Sequence, residues 1–459
     1  MPLAIGLQFT QGTPILATAP STGVIAIVGT AAIGTKDTPF LIKNMAEAIA
    51  TFGYQTTGAT IPDALARAYT SYGQILFVGV NVATPAVVAV AEAEYTFDSQ
   101  DRIQLPHKHI SLVVVKNQAG TTTYVADTDY TVDLVKGIVQ RKGSTIPAGA
   151  IVKIGYSRPD FSAVTATQIV GGVNGTTGKR EGLEALIDAE FVSLSPSNIT
   201  DIICPSYSQV QTVATKMAEL ATKLRAQYYL DAPATATVQN VIEGRTAGAA
   251  PVAHFATKDA NAILCYPNVI IGSGVSAKEE WYSIHVACAR AIAPEWQAPT
   301  NLEVRGITSW KTALLTSASN PLADNSRLVE NGVVTYLNRS GQTPVIWGHF
   351  NASYKEENAA KKGLDRIHVI RIINSVYDQA EKELAGYIGR RLGINWNAAI
   401  AVIEASVSRI ISDNESIDSG KITYLPLASD LPNRKLAFRL EVKIADVLDI
   451  IMLDLVFVI

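Results

Sequence analysis

The chain is expected to fold as a multi-domain protein of α/β class with mixed α+β parts. Three observations predict this. Continuous apolar runs alternate with amphipathic stretches early in the chain and again after about residue 180, the texture of a parallel sheet covered by helices. Between them, from about Tyr95, the helical period disappears and short alternating strands broken by turn residues take over. Both ends carry strand-like segments, and the last is apolar on both faces. A length of 459 residues accommodates roughly two to four domains. On this reading residues 21–92 and 168–335 form a discontinuous α/β core, and 93–167 an inserted β sandwich or barrel. Residues 336–445 form a C-terminal α+β domain, with extended arms at 1–20 and 446–459.

The elements follow in order. In "LAIGLQF", Leu3, Ile5, Leu7 and Phe9 point one way, as on a strand. "GVIAIVGTA" is a continuous apolar run ending in glycine, which suits a buried parallel strand. "NMAEAIATFG" is a short helix stopped by Gly53. "TIPDALARAYTSYG" is a second helix, with Thr60 as its cap, Pro62 in the first turn and Gly73 past its end. "QILFVGVNV" is the next strand. The β-rich block holds "NQAG", "DTD", "VKG" and "IPAG" as breakers, and helix–strand texture returns with "GLEALIDAE". "SPSNITDIICP" is a buried strand. In the following helix Val213, Met217, Leu220 and Leu224 share a face. "NAILCYPNVII" reads as one strand, Ser283–Ala291 as a small-residue helix, and "GVVTYLNRSGQTPVIWGHF" as a hairpin. "RIHVIRIINSVYDQAEKELAGYIGRRLG" begins extended and turns helical, with Ile373, Val376, Ala380, Leu384 and Ile388 as its buried stripe. "NAAIAVIEASVSRIISDNESI" is a further helix, and "KITYLPL" is a strand. In "KLAFRLEVKI" the residues Leu436, Phe438, Leu440, Val442 and Ile444 alternate strictly with Ala437, Arg439, Glu441 and Lys443.

Charged residues make up 17% of the chain, below the roughly 25% usual for soluble domains, so part of the surface is expected to be hidden in an assembly. The formal charge is −3 and no basic run occurs, so nucleic acid is not expected as a direct partner. "MPLAIGLQFTQGTP" has neither the cationic nor the apolar region of a signal peptide. Cys204, Cys265 and Cys288 are odd in number and far apart, which fits a reducing compartment and no metal site. The tail "ADVLDIIMLDLVFVI" is shorter than the roughly 20 residues a membrane span needs. Asp446, Asp449 and Asp454 would each cost about 2.5–3.5 kcal/mol near the membrane centre. No membrane insertion is expected, which leaves a strand of its own core or a strand meant for another molecule.

Two stretches approach a phosphate-binding loop. In "GTAAIGTK" the lysine, Lys36, comes one place late after Gly29 and Gly34, and no hydroxyl follows it. In "NGTTGKR", Gly178 and Lys179 are present, but Val173 stands in place of the first glycine and Arg180 in place of the hydroxyl residue. The motif needs glycines, lysine and hydroxyl in fixed register, so neither stretch predicts nucleotide binding. His107 and His109 in "HKH" are read as a surface pair on one face of a strand, because no third metal ligand is indicated. Asp378, Glu381 and Glu383 lie among Lys382, Arg390 and Arg391, as on a solvated face or an interface. "IEGR" at Ile242–Arg245 resembles a protease target without implying a role. No catalytic constellation is found, and no cofactor or enzymatic activity is expected.

The order of pieces resembles the tail sheath proteins of contractile phages and related injection particles. "GVIAIVGTAAIGTKDTPFLIKNMAEAIATFG" is similar to that family's opening, with its "P-x-L-I" segment and a helix ending in "FG". "PDALARAYTSYGQILFVGVNV" is similar to the helix and strand that follow, and "GGVNGTTG" to a glycine-rich turn after the inserted domain. "PEWQAPTNLEVRGI" resembles the family's "W-x-A-P-A-N…GI" segment, with Thr300 for alanine. "LNRSGQTPVIWGHF" resembles "G-x-x-x-W-G-A-R-T", with His349 and Phe350 for Ala-Arg. The region from Thr121 to Ser157 resembles β domains inserted in many sheath proteins. The resemblance implies a structural subunit of a virion tail, assembled in the host cytoplasm as stacked hexameric rings around the tail tube. It implies contraction from a metastable extended state without nucleotide, and partners in the tube, baseplate and tail terminator proteins. It also implies terminal arms that complete a small sheet on neighbouring subunits. The arm residues are then Leu3, Ile5, Leu7, Phe9, Ile451, Leu453, Leu455 and Phe457, and the acceptor strand carries Phe438, Leu440, Val442 and Ile444. The reading from another class is an α/β nucleotide-binding or hydrolytic enzyme.

Overall fold

A computed structural model describes residues 23–191, 198–274, 277–356, 363–385, 396–426 and 437–444. The N-terminal strand with Leu3, Ile5, Leu7 and Phe9, and the tail with Ile451, Leu453, Leu455 and Phe457, lie outside the described residues. In chain order the first unit comprises β1 (Val24–Gly29), β2 (Pro39–Ile42), α1 (Met45–Phe52), α2 (Thr60–Ser71) and β3 (Leu76–Asn81). A β-rich block follows: β4 (Ala86–Thr96), β5 (Arg102–Gln104), β6 (Ser111–Asn117), β7 (Tyr130–Asp133), β8 (Ile138–Arg141) and β9 (Ile151–Asp160). The chain then forms α3 (Ala166–Val170), β10 (Gly172–Val173), β11 (Arg180–Glu181), α4 (Leu186–Phe191), β12 (Ile199–Ile203) and α5 (Gln211–Leu224). Next come β13 (Gln227–Asp231), α6 (Val238–Ala247), β14 (Ala262–Cys265), β15 (Val269–Ile271), β16 (Lys278–Glu280) and α7 (Tyr282–Ala291). The remaining elements are β17 (Ser309–Trp310), α8 (Asp324–Val329), β18 (Val333–Leu337), β19 (Val345–Trp347), α9 (Ile367–Ala385), α10 (Trp396–Asp413), β20 (Ile417–Tyr424) and β21 (Phe438–Ile444).

One large sheet has the order β19-β18-β14-β13-β12-β1-β3-β2. Its central strands run parallel, and β2 and β19 close the edges antiparallel. The order turns at β1, which sits between β3 and β12, so the sheet is doubly wound and helices cover both faces. This explains the unbroken apolar run of β1. Val24, Ala26 and Val28 pack under α3, α4, α5 and α6, while Ile25 and Ile27 pack under α1, α2 and α7. The expected stripe of α5, Val213, Met217, Leu220 and Leu224, is buried on that first face.

Several expectations are corrected. Thr60 does not cap α2: Ala59 is the N-cap, and the side-chain cap comes from a strand end instead. The Thr60 N–H donates to Thr30 Oγ1 at 3.0 Å, and the Thr30 N–H donates to Thr60 Oγ1 at 3.0 Å. Helix α7 is held in the same way. Its Ser283 N–H and Oγ donate to the carboxylate of Asp231, at the end of β13, at 2.9 and 2.5 Å. Burial pushes the Asp231 carboxyl up to about 6 despite these donors. "NAILCYPNVII" is not one strand. It splits at Tyr266–Asn268 into β14 of the large sheet and β15 of a separate sheet, because Pro267 has no N–H to carry a ladder onward. The segment from Ile367 is helical from its start rather than extended. Residues Ile367 to Ile372, His368 and Arg371 included, are all buried, so the first turns have no solvent-facing side and show no amphipathic period.

Helix α9 is tied to the sheet by a buried polar network. Arg290 of α7 and Asp201 of β12 are each 1% exposed and 3.1 Å apart. Tyr229 Oη donates to Asp201 at 2.6 Å, and Arg290 Nη2 donates to Gln227 Oε1 at 2.6 Å. Gln227 Nε2 in turn donates to the Ile367 carbonyl at 3.0 Å, and Arg371 Nη1 to the Arg290 carbonyl at 2.7 Å. Within the β-rich block, β4-β9-β6 and β5-β8-β7 form two three-stranded sheets around their own core, which includes Phe97, Ile103, Val115, Val139 and Ile154.

Candidate interaction surface

The C-terminal strands form a sheet of two. Asn414 turns α10 into β20: its side chain accepts the Ser416 N–H at 2.9 Å and its carbonyl the Ile417 N–H at 3.0 Å. Gly420 lets the strand lie against the helix, since a Cβ there would stand 2.9 Å from Ile411 Cγ2. Strand β21 pairs antiparallel with β20, from Ile417 opposite Ile444 to Tyr424 opposite Phe438. The alternation read in "KLAFRLEVKI" is present from Phe438 to Ile444, while Leu436 lies outside the described residues. Phe438, Leu440, Val442 and Ile444 are half-buried, and the first three pack toward Val407, Ile411 and Ile422. Arg439, Glu441 and Lys443 face outward, with Lys443 2.5 Å from Asp418. Such exposed pairs add little stability. The outer edge of β21 has no strand partner among the described residues.

Beside this sheet lies a groove of about 1210 Å³. Its walls are Ile373, Val376, Tyr377 and Ala380 of α9, Val407 of α10, Ile422 of β20, and Phe438, Leu440 and Val442 of β21. Tyr377 is 61% exposed there. Arg225, which ends α5 in a left-handed conformation, bridges from the sheet domain to the rim of the groove. It binds Asp378 at 2.6 Å and also reaches Glu381. Asp378 and Glu381 therefore tie α9 to the end of α5, whereas the side chain of Glu383 lies outside the described residues. Of the expected α9 stripe, Val376 and Ala380 are buried and Ile373 is half-buried, while the side chains of Leu384 and Ile388 lie outside the described residues. Arg225 and Tyr377 had no signal in the sequence, since a lone arginine in "KLRAQ" and a lone tyrosine in "SVYDQ" match no pattern.

The remaining candidate chemistry is otherwise occupied. In the loop after β1 the Ala31 N–H donates to Asn81 Oδ1 at 3.0 Å, so its amides serve the fold. Lys179 Nζ donates to the Lys36 carbonyl at 2.8 Å and to Thr38 Oγ1 at 3.2 Å, and Arg180 pairs with Asp188 at 2.6 Å. His107 and His109 sit in a loop rather than on one face of a strand, and their rings have separate partners. His107 Nδ1 lies 2.7 Å from Tyr156 Oη, whereas His109 Nε2 accepts the Tyr54 N–H at 2.8 Å. Cys204, Cys265 and Cys288 are free and buried, and burial pushes their thiols up. Among the described residues no three His, Cys, Asp or Glu side chains are grouped to hold a metal ion, and no helix is long and apolar enough to cross a membrane.

A family described as a protein of unknown function matches residues 71–170, from the end of α2 through the whole β-rich block to the end of α3. The tail sheath protein of Burkholderia phage BcepMu is 34% identical over 342 residues, covering 72% of this chain and 70% of that protein. In fold, a chain of the 6-fold symmetrised baseplate of the anti-feeding prophage aligns with a TM-score of 0.58 at 11% identity, covering 100% of both chains. A chain of the contracted sheath complex of the PVC extracellular contractile injection system aligns with a TM-score of 0.57 at 11% identity, covering 99% of this chain and 98% of the other.

Proposed function

The chain belongs to the tail sheath protein family, and from that membership we propose that β21 and the groove beside it receive terminal strands from neighbouring copies. The observation that carries this reading is the two-stranded sheet whose β21 edge, without a strand partner among the described residues, lies along an apolar groove. A sheet of two strands is marginal alone and gains stability from a third or fourth. The arms with Leu3, Ile5, Leu7 and Phe9, and with Ile451, Leu453, Leu455 and Phe457, have the alternating or fully apolar character that adding a strand requires. Phe438, Leu440, Val442 and Ile444 offer the acceptor ladder.

On this reading the subunit is structural, not enzymatic. It builds stacked hexameric rings around a tail tube, in the tail of a phage or phage-like particle, and meets baseplate and terminator proteins at the ends. Contraction is a rigid-body rearrangement across subunit interfaces, with arms that stay joined. Its energy is stored at assembly and needs no bound cofactor. The purified full-length chain, concentrated in nucleotide-free buffer containing a chelator, forms helical tubes visible by electron microscopy, alone or with tube protein. A chain that remains a monomer or dimer under both conditions would overturn the reading.

The β-rich block is proposed to lie on the outside of the assembly and to be dispensable for joining subunits. Entry and exit run side by side, with Ala86 opposite Asp160 and Val90 opposite Tyr156. Removing residues 91–155 and bridging Val90 to Tyr156 with glycine and serine leaves Phe161 on Ala59 and Ala83. The shortened chain is expected to form tubes of normal length. Loss of tubes from a chain whose remaining core is folded would refute dispensability.

A further inference from the structure

The β-rich block also touches the sheet domain beside the end of α1. The loop between β5 and β6 lies there on residues 53–56. The Tyr54 backbone N–H donates to His109 Nε2 at 2.8 Å. A backbone amide can only donate, so Nε2 must hold a lone pair and the ring proton must sit on Nδ1. Next to it, Thr56 Oγ1 donates to the Lys108 carbonyl at 3.3 Å, and the Lys108 ammonium lies 5.1 Å from the centroid of the Tyr54 ring. The approach depends on Gly53. A Cβ at that position would stand 2.3 Å from His109 Nε2, and its φ of +85° favours glycine in any case.

We infer that His109 is a pH-sensitive latch, holding the β-rich block against the sheet domain and releasing it on acidification. Protonation turns Nε2 into a donor facing a donor and adds a cation beside Lys108. The other charges around the ring do not relieve this. The His109 N–H donates to the Val135 carbonyl at 3.1 Å, on a turn that carries Asp133 and Lys136. The Asp133 carboxylate already accepts the Val135 and Lys136 amides and pairs with the Lys136 ammonium at 3.7 Å. The facing loop contributes the Tyr54 ring, 6.3 Å away, and the last turn of α1, Ile49–Phe52, is uncharged. Partial burial, and then the Lys108 charge, hold the His109 pKa below the usual histidine value. The sign follows from linkage. A released ring takes up a proton as pH falls below about 6.5, and the docked ring resists it. The latch is therefore at full strength above that pH and weakens below it, by at most about tenfold per pH unit until the docked ring also protonates. A released block remains tethered through the paired β4 and β9, whose register shifts between Val90 and Ala93.

Hydrogen exchange at the Tyr54 amide in the full-length soluble subunit tests this. Protection, corrected for the intrinsic exchange rate, is expected to be constant from pH 8 to about 6.5 and to fall by up to about tenfold per unit below it. In His109→Gln the side-chain oxygen accepts at every pH, so Tyr54 stays protected throughout. In His107→Gln, which alters only the contact with Tyr156, the wild-type response persists. In Gly53→Ala, Tyr54 exchanges rapidly at every pH. A pH-independent wild type, an unchanged response in His109→Gln, its disappearance in His107→Gln, or wild-type protection in Gly53→Ala would each overturn the latch.

Discussion

A chain ending at Ala445 is expected to remain a folded, soluble subunit and to build no long tubes. The residues removed include Ile451, Leu453, Leu455 and Phe457. Burying each side chain on a neighbour stabilises by about 1.5–3 kcal/mol before ordering costs are subtracted. The proposed receiving surface is a groove of about 1210 Å³ bordered by β21, whose outer edge has no strand partner among the described residues, so a docked strand would gain ladder hydrogen bonds as well as apolar contacts. In the proposed lattice each subunit would repeat the contact, so its loss would be multiplied along the tube. Circular dichroism and sedimentation report the state of the truncated subunit, and electron microscopy reports its assembly. Tubes like those of the full chain would rule out a linking arm. An unfolded monomer would instead make the tail a strand of its own core.

Replacing Arg290 with methionine is expected to lower subunit stability by about 3–5 kcal/mol, because it leaves a buried carboxylate without its cation. Arg290 and Asp201 are each 1% exposed, and the pair is 3.1 Å apart. The lost guanidinium also orients Gln227, whose amide holds the start of α9 through the Ile367 carbonyl. The effect should reach the groove, since α9 supplies one of its walls. Urea titration of Arg290→Met against wild type measures the loss. Adding Asp201→Asn should recover part of it, as residues in one network couple non-additively. A change within about 0.5 kcal/mol for Arg290→Met would show that the buried charge is compensated elsewhere.

Much of the layering was legible in the sequence for a local reason. A strand covered on both faces is apolar at every position, which made β1 visible, and a surface helix shows its stripe, which made α5 visible. The strict alternation of Phe438, Leu440, Val442 and Ile444 likewise marked a strand with one covered face. The same logic failed where burial is complete on a helix. Residues Ile367 to Ile372 are apolar or internally bonded on all sides, and their pattern cannot be told from that of a buried strand. The histidines of "HKH" misled because alternation was assumed in a loop whose path is set by Gly53 and Tyr54, more than fifty residues away in the chain.

The sequence by itself determined most of the segments that form strands and helices and which of their faces are apolar. Periodicity records this because it reflects neighbours along one element. Only the tertiary structure decided how the ends of those elements are satisfied and where a surface stays open. Thr30 caps α2 from 30 positions away, Asp231 holds α7 from 52, and Gln227 anchors α9 from 140. Arg225 and the Arg290 network tie α9, one wall of the groove beside β21, to the ends of α5 and α7. Such contacts join groups remote in sequence, and a polar side chain acquires its partner only when the layers close over it.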